Sequence, residues 1–229
     1  VQFPYAANPW LYKNIAYDTQ KAFAPVLLAG RSPMLLVTHA QGPYRSAAEL
    51  LAAARIKPNA LAYGSSGAGS SNHLAMALFE TATATQMRQI PYKGSTPMLT
   101  DLAGGQFDVA LDLLPHAMPF MQSGRVRPLA IAAPKRSPLL PDVPTAAEAG
   151  IPGYEVSSWH GFVVPSGTPQ SVVDKLNSDL NRMLLEDEVK KAFAAQGVAP
   201  DGGTPAHFRS FIDGQMALWK KVVSDRNIT

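Results

Sequence analysis

The chain has 229 residues, enough to bury a substantial core as one large domain or two small ones. Hydrophobic residues at 46% and charged residues at 16% exclude a disordered chain. A formal charge of +3, with Lys and Arg scattered rather than clustered, argues against nucleic acid as the partner and suits a small anionic ligand.

Taken in chain order, apolar runs of strand type alternate with segments that announce themselves as helices. Met34–Thr38 is the first such run. Ser46-Ala-Ala-Glu49 is a capping box, in which serine and glutamate satisfy each other's orphan amides, and it predicts a helix over Ala47–Arg55. Leu61–Ser65 is the next strand and Asn72–Thr83 the helix after it. Met87–Ile90 follows, with Ser95 to cap a helix, Pro97 to open it and Gly104-Gly105 to close it. Asp108–Asp112 and Pro128–Ala132 are two more strands, with a helix opening at Pro115 between them. Thr145-Ala-Ala-Glu148 repeats the capping box, and Gly150 ends its short helix. Ser158–Val164 is the last strand. Thr168-Pro169 and Thr204-Pro205 each set a capping threonine before a proline at the first helical position. Apolar residues at three-and-four spacing make both following helices amphipathic: Val172, Val173, Leu176 and Leu180 in one, Phe208, Ile212, Met216 and Trp219 in the other. Strands alternating with helices predict an α/β architecture with largely parallel sheets, whose ligands bind beyond the carboxyl ends of the strands.

There is no cysteine, so disulfides, thiolate catalysis and cysteine metal sites are excluded. The five histidines show no metal-ligand spacing, and neither a metal nor a cofactor is expected. No apolar run reaches the roughly 18 residues that would span a membrane. No signal-peptide pattern stands at Val1.

The strand-to-helix segment Tyr63–Leu74, YGSSGAGSSNHL, concentrates polar and flexible residues. A nucleophile elbow needs glycine two residues away on both sides of the serine; Ser66 has Gly64 before it but Ala68 after it. A serine hydrolase using Ser66 or Ser70 with His73 lacks any identifiable third group. Gly64 and Gly69 stand at P-loop spacing, but the lysine that should come next is missing. The dinucleotide fingerprint also fails, with Asn72 where its third glycine belongs. Anion capture remains: glycines admit a ligand to the backbone, hydroxyls donate, and the first amides of the next helix point outward unpaired. A plain capped helix after a glycine turn stays open beside it. On neighbouring loops, Lys93 is either a positive charge for a ligand or a solvated surface residue. Asp112 either binds an ammonium or a water, or caps the helix at Pro115. Trp159 is a pocket wall or core.

The series YGSSGAGSSNHLAMALF, PYKGSTPMLTDLAGGQFD, KRSPLLPDVPTAAEAGIPGYEVSSWHGF and VPSGTP, in this order, resembles the Bug, or TctC, family of extracytoplasmic solute receptors of tripartite tricarboxylate transporters. The resemblance runs from about Asn8-Pro9 to Val223. It implies a periplasmic-binding-protein fold of type II: two α/β domains joined by two crossing strands, with the ligand in the cleft. Met34–Thr38 would be the first crossing and Ser158–Val164 the return. Residues 1–35 would be the remainder of domain 1, 36–157 domain 2, and 158–229 the return strand with C-terminal helices packing on domain 1. The implied function is a non-enzymatic periplasmic receptor, a monomer, for a dicarboxylate, tricarboxylate, acidic amino acid or aromatic acid. Its partners would be integral-membrane transporter subunits. A ligand-sensing module of a regulatory system, which shares the fold, is the alternative from another class. The resemblance places ligand contacts at Ser65, Ser66, Gly67, Gly69, Ser70 and Asn72, at Tyr92, Asp112 and Trp159, and on a loop at Tyr5 to Ala7. Two positions depart from the family pattern: Leu113 stands where asparagine is usual, and His116 where serine is. Family members also carry a preceding stretch with a first strand and a glycine-rich ligand loop, which is expected to be lacking here.

Overall fold

The computed structural model describes residues 1–228. The chain divides into two compact units, Val1–Ser32 with Ser158–Thr229, and Pro33–Ser157. It passes from the first to the second inside one long strand, β1 (Phe23–His39), and returns at the start of strand β6 (Ser157–Pro165).

The unit Pro33–Ser157 is a mixed sheet clothed by helices. Its helices are α2 (Ala47–Ile56), α3 (Ser71–Thr83), α4 (Ser95–Ala103) and α5 (Leu114–Gln122). Its strands β2 (Ala62–Ser65), β3 (Arg88–Pro91), β4 (Val109–Leu113) and β5 (Val126–Ile131) join the second half of β1 in the order β3-β2-β4-β1-β5. β2 runs parallel to both β3 and β4, while β1 lies antiparallel to β4, with Leu35 opposite Asp112, and to β5, with Leu35 opposite Ile131. From β2 the chain goes through α3 to the strand on one side, then through α4 to the strand on the other. Right-handed crossovers, the rule for parallel strands, put α3 and α4 on opposite faces, so a switch point opens beyond the carboxyl ends of β2 and β4. Leu35, Val37, Met98, Leu99, Phe107 and Ala110 pack together under α4 and α5. On α3, Phe79 takes the edge of the Tyr154 ring at 5.5 Å, and the Tyr154 hydroxyl donates to the Ala75 carbonyl at 2.8 Å. Each fully buried large side chain contributes roughly 1.5–3 kcal/mol of transfer free energy.

The other unit holds α1 (Pro4–Leu11), the first half of β1, β6, α6 (Gln170–Met183), α7 (Asp187–Ala195), β7 (Ala199–Pro200) and α8 (Pro205–Asp225). β6 and β7 both pair with β1, the latter antiparallel through Gly30 and Pro200. α1 packs on α8, where the Phe3 and Trp219 rings lie 4.8 Å apart. Val26 and Leu27 of β1 bury against Val173 of α6 and Leu184. No described helix is long and apolar enough to cross a membrane.

All six expected strands form, and several local details differ. Tyr5, Ala6 and Ala7 belong to helix α1 rather than to a loop, because Pro4 opens a helix that buries Ala6 and Ala7. The Thr145–Glu148 capping box closes, with Glu148 N donating to Thr145 Oγ1 at 3.1 Å and Thr145 N to Glu148 Oε2 at 2.8 Å. It closes on turns and not on a helix, since Gly150 at φ +89° breaks the chain at once. Thr168 caps nothing: Pro169 is the N-cap of α6, with extended ψ, so the helix begins one residue too late for it. Ser95 is the first residue of α4 and not its cap, which is Gly94 at φ +119°. Ser46 and Thr204 cap as expected, accepting from Glu49 N and His207 N.

Candidate ligand-binding site

The carboxyl edge of β2, β3 and β4, with the segments that follow these strands, holds eight of the expected site residues: Ser65, Ser66, Gly67, Gly69, Ser70, Asn72, Tyr92 and Asp112. Tyr5, Ala7 and Trp159 belong to the other unit. There the Tyr5 hydroxyl donates to the Thr19 carbonyl at 2.6 Å, and Ala7 is buried. Trp159 is fully buried, edge-on to Phe208 and Phe211 at 5.9 and 5.4 Å, with an Nε1–H that finds no acceptor among the described residues.

The loop Ser66–Ser70 is shaped by glycine. Gly67 at φ +116° and Gly69 at φ +69° occupy backbone conformations that a side chain disfavours. Asn72, 2% exposed, anchors it. β2 and β4 stop pairing at Gly64 and Ala110, and the Asn72 Nδ2–H takes the next carbonyl, Leu111 O, at 2.5 Å. That bond fixes the amide's orientation, so Oδ1 faces Ser66 and accepts its hydroxyl proton at 2.5 Å. The Ser70 hydroxyl donates to Gly67 O at 2.7 Å and, as the N-cap of α3, accepts from His73 N at 3.3 Å. Gly69 N–H donates to His73 Nδ1 at 3.0 Å. Ser65 is wholly buried, its hydroxyl accepting from Gln89 Nε2 at 2.7 Å and its carbonyl from Tyr92 N at 2.8 Å.

Scaffold and donors are therefore different groups. The side chains of Ser66, Ser70 and Asn72 and the amide of Gly69 donate to groups that hold the loop, and the Ser65 hydroxyl accepts from Gln89. The backbone amides of Ser66, Gly67, Ala68, Ser71 and Asn72 have no acceptor among the described residues, and neither has the Ser71 hydroxyl. Ala68 and Ser71 were not singled out by sequence. The signal for Ser71 was its place as the first residue after a capping serine, where helix amides are free. Free amides at a helix amino end attract anions through their own hydrogens and through the helix dipole. The arrangement does not serve serine catalysis: the Ser66 and Ser70 protons go to Asn72 and Gly67, and His73 Nδ1 is occupied by Gly69.

The Tyr92 ring leans on Phe107 at 5.6 Å. Its hydroxyl is pushed up to about 12 by burial and by the nearby Asp101 carboxylate, so it is neutral at any physiological pH. Asp112, 1% exposed, is the next-to-last residue of β4. Its Oδ1 accepts from Leu113 N at 2.7 Å and meets His116 Nδ1 at 3.1 Å, while Oδ2 is buried without a partner. An unpaired buried acceptor costs about 1–3 kcal/mol, relieved by any N–H, O–H or water that reaches it. The bond from Asp112 holds the His116 imidazole above the ordinary histidine range, against an opposing effect of burial. In the sequence His116 stands out only as a departure from a family pattern.

The model of the tripartite tricarboxylate transporter family receptor, TctC, matches residues 1–228. The chain belongs to this receptor family. Among relatives, it is 36% identical over 215 residues to a protein of the tcbD-tcbE intergenic region of Pseudomonas sp. strain P51, covering 93% of this chain and 64% of that protein. It is 35% identical to BugT of Bordetella pertussis, over 97% of this chain and 68% of that one. The chain thus spans about two thirds of these relatives' length. Among solved structures, Rpa4515 of R. palustris with adipate superposes with a TM-score of 0.86 at 38% identity, covering all of this chain and 77% of that one. MatC of Rhodopseudomonas palustris with bound malate gives 0.80 at 30%, over 97% and 77%. The periplasmic binding protein BugD gives 0.81 at 29%, over 99% and 77%. These neighbours place the receptor chain in the periplasmic-binding-protein α/β fold.

Proposed function

We propose that the chain is part of a periplasmic receptor that binds a small carboxylate for a tripartite tricarboxylate transporter, without catalysing a reaction on it. One observation carries the reading: a set of unpartnered backbone amides, Ser66, Gly67, Ala68, Ser71 and Asn72, converges at the amino end of α3, on a loop whose side chains are committed to holding it. Hydrogen bonds to a charged group contribute about 1.5–3 kcal/mol each. Two or three reaching one carboxylate contribute roughly 3–9 kcal/mol, a large part of what micromolar binding requires, with burial of the rest of the ligand supplying the remainder. Membership of the receptor family, and relatives solved with adipate and malate, support the ligand class.

Isothermal titration of the chain with adipate, malate, citrate, aspartate and benzoate tests it. The expected result is saturable binding of at least one acid, with stabilisation of about 2.7 kcal/mol at a hundredfold excess over Kd. Failure of every carboxylate to bind or to raise the melting temperature would overturn the proposal.

A further inference from the structure

Asp112 and His116 stand on the same edge as the free amides, and the amides that carry the carboxylate-binding reading leave His116 without a task. Asn72, at the amino end of α3, is bonded to Leu111, the residue just before Asp112. The two loops are therefore tied across the switch point. His116 lies in the first turn of α5, its side chain 48% exposed, its Nδ1 on the buried Asp112 carboxylate. A carboxylate accepts only, so the nitrogen facing it must be a donor, and Nδ1 carries a hydrogen. The other ring nitrogen, Nε2, is then an acceptor in the neutral ring and a donor in the imidazolium.

We infer that His116 is a specificity-determining ligand contact: its Nε2–H, present when the ring is protonated, donates to a carboxylate of the ligand, so that binding takes up a proton. The inference rests on the carboxylate-binding reading of this site. It assigns a role to a half-exposed ring that a buried carboxylate holds in place. A hydroxyl donates at any pH, whereas His116 donates to an acceptor-only ligand only as a cation. The group that poises it is Asp112. Among the described residues no other charged side chain pairs with His116. Asp108 Oδ2 accepts from Ala62 N, Arg127 donates to Tyr44 O, Asp101 acts on the Tyr92 hydroxyl, and Arg125 lies over the Phe120 ring of α5 itself at 5.2 Å.

The test is calorimetric titration of wild type, His116→Gln and His116→Ser with the same five acids. It is run at about pH 5.5 and about pH 8, either side of the histidine range, in buffers of different ionisation enthalpy. Expected for wild type is affinity about tenfold or more higher at the acid pH, the worth of one charged hydrogen bond, with net proton uptake on binding. Both variants carry a donor that does not titrate, so at about pH 8 they should bind at least as tightly as wild type, and they should show neither proton uptake nor an acid gain. A merely structural histidine would leave the variants' proton uptake unchanged. Wild-type binding that is independent of pH, or variants that keep the wild-type profile, would overturn this inference and leave the receptor reading standing. No binding of any of the five acids by wild type or variants at either pH would overturn both.

Discussion

Asn72 offers the sharpest test of how the site is held. Replacing it with alanine removes two bonds of 2.5 Å from a residue that is 2% exposed. The Leu111 carbonyl, on a wholly buried residue of a central strand, then loses its partner at the point where β2 has stopped pairing. A buried acceptor left unmet costs about 1–3 kcal/mol, and the freed Ser66 hydroxyl forfeits about 0.5–1.5 kcal/mol more, less what water recovers at its partly exposed position. The expected loss is about 2–3 kcal/mol, or a melting-temperature fall of about 4–12 °C for a chain of this size. The readout must be chosen with care. Trp10, Trp159 and Trp219 all lie in the unit formed by Val1–Ser32 and Ser158–Thr229, so tryptophan fluorescence is blind to the unit being perturbed. Amide hydrogen exchange of β4 and α3, with far-ultraviolet circular dichroism in urea, reports it directly. Ser66→Ala and the double variant complete a cycle in which the two changes should be strongly non-additive. A loss below about 0.5 kcal/mol, or strict additivity with Ser66→Ala, would refute the account of Asn72 as the anchor of the loop.

Gly64→Ala drives a methyl group into the Phe107 ring and sets it 2.7 Å from Met98 Cγ. It should cost about 1–3 kcal/mol by overpacking, and Phe107→Leu in the same chain should recover part of it in urea titrations. Ser70→Ala removes the α3 cap and should cost about 1 kcal/mol, seen as a lowered melting temperature, with Ser70→Asn close to wild type. The His116–Asp112 bond raises the His116 pKa in the folded chain. Its stabilisation is therefore fully present below the unfolded value near 6.5 and is lost as pH rises through the folded value. Urea midpoints should fall across that window in wild type and not in His116→Gln.

Local chemistry made much of this fold legible. Ser46 with Glu49, and Thr204 with Pro205, cap helices as their spacing says, because those bonds close within one turn. The same spacing at Thr145 closes without a helix, since Gly150, two residues beyond Glu148, stops the turn from continuing. The first half of β1 escaped notice because Pro25, Gly30 and Pro33 interrupt it, and its partners β6 and β7 are more than a hundred residues away in sequence. At the site, the glycine and serine content of the loop marked the place. Which groups would be donors was not legible. That depends on Leu111 O and the Asn72 amide meeting across a sheet, a contact that settles where the Ser66 proton goes and leaves the work to backbone amides that any sequence possesses. His116 was visible only as a residue out of pattern; its meaning depends on Asp112 turning one oxygen towards it.

The division of the chain also orders its assembly. Pro33–Ser157 is contiguous, whereas the other unit is built from segments on both sides of it. During synthesis the first can close its sheet as soon as its last strand has emerged. The second must keep Val26 and Leu27 exposed until Val173 and Leu184 have been made. Until then the first half of the strand Phe23–His39 lacks the pairing that β6 and β7 give it. A chaperone that shields this stretch would serve the chain best at that stage.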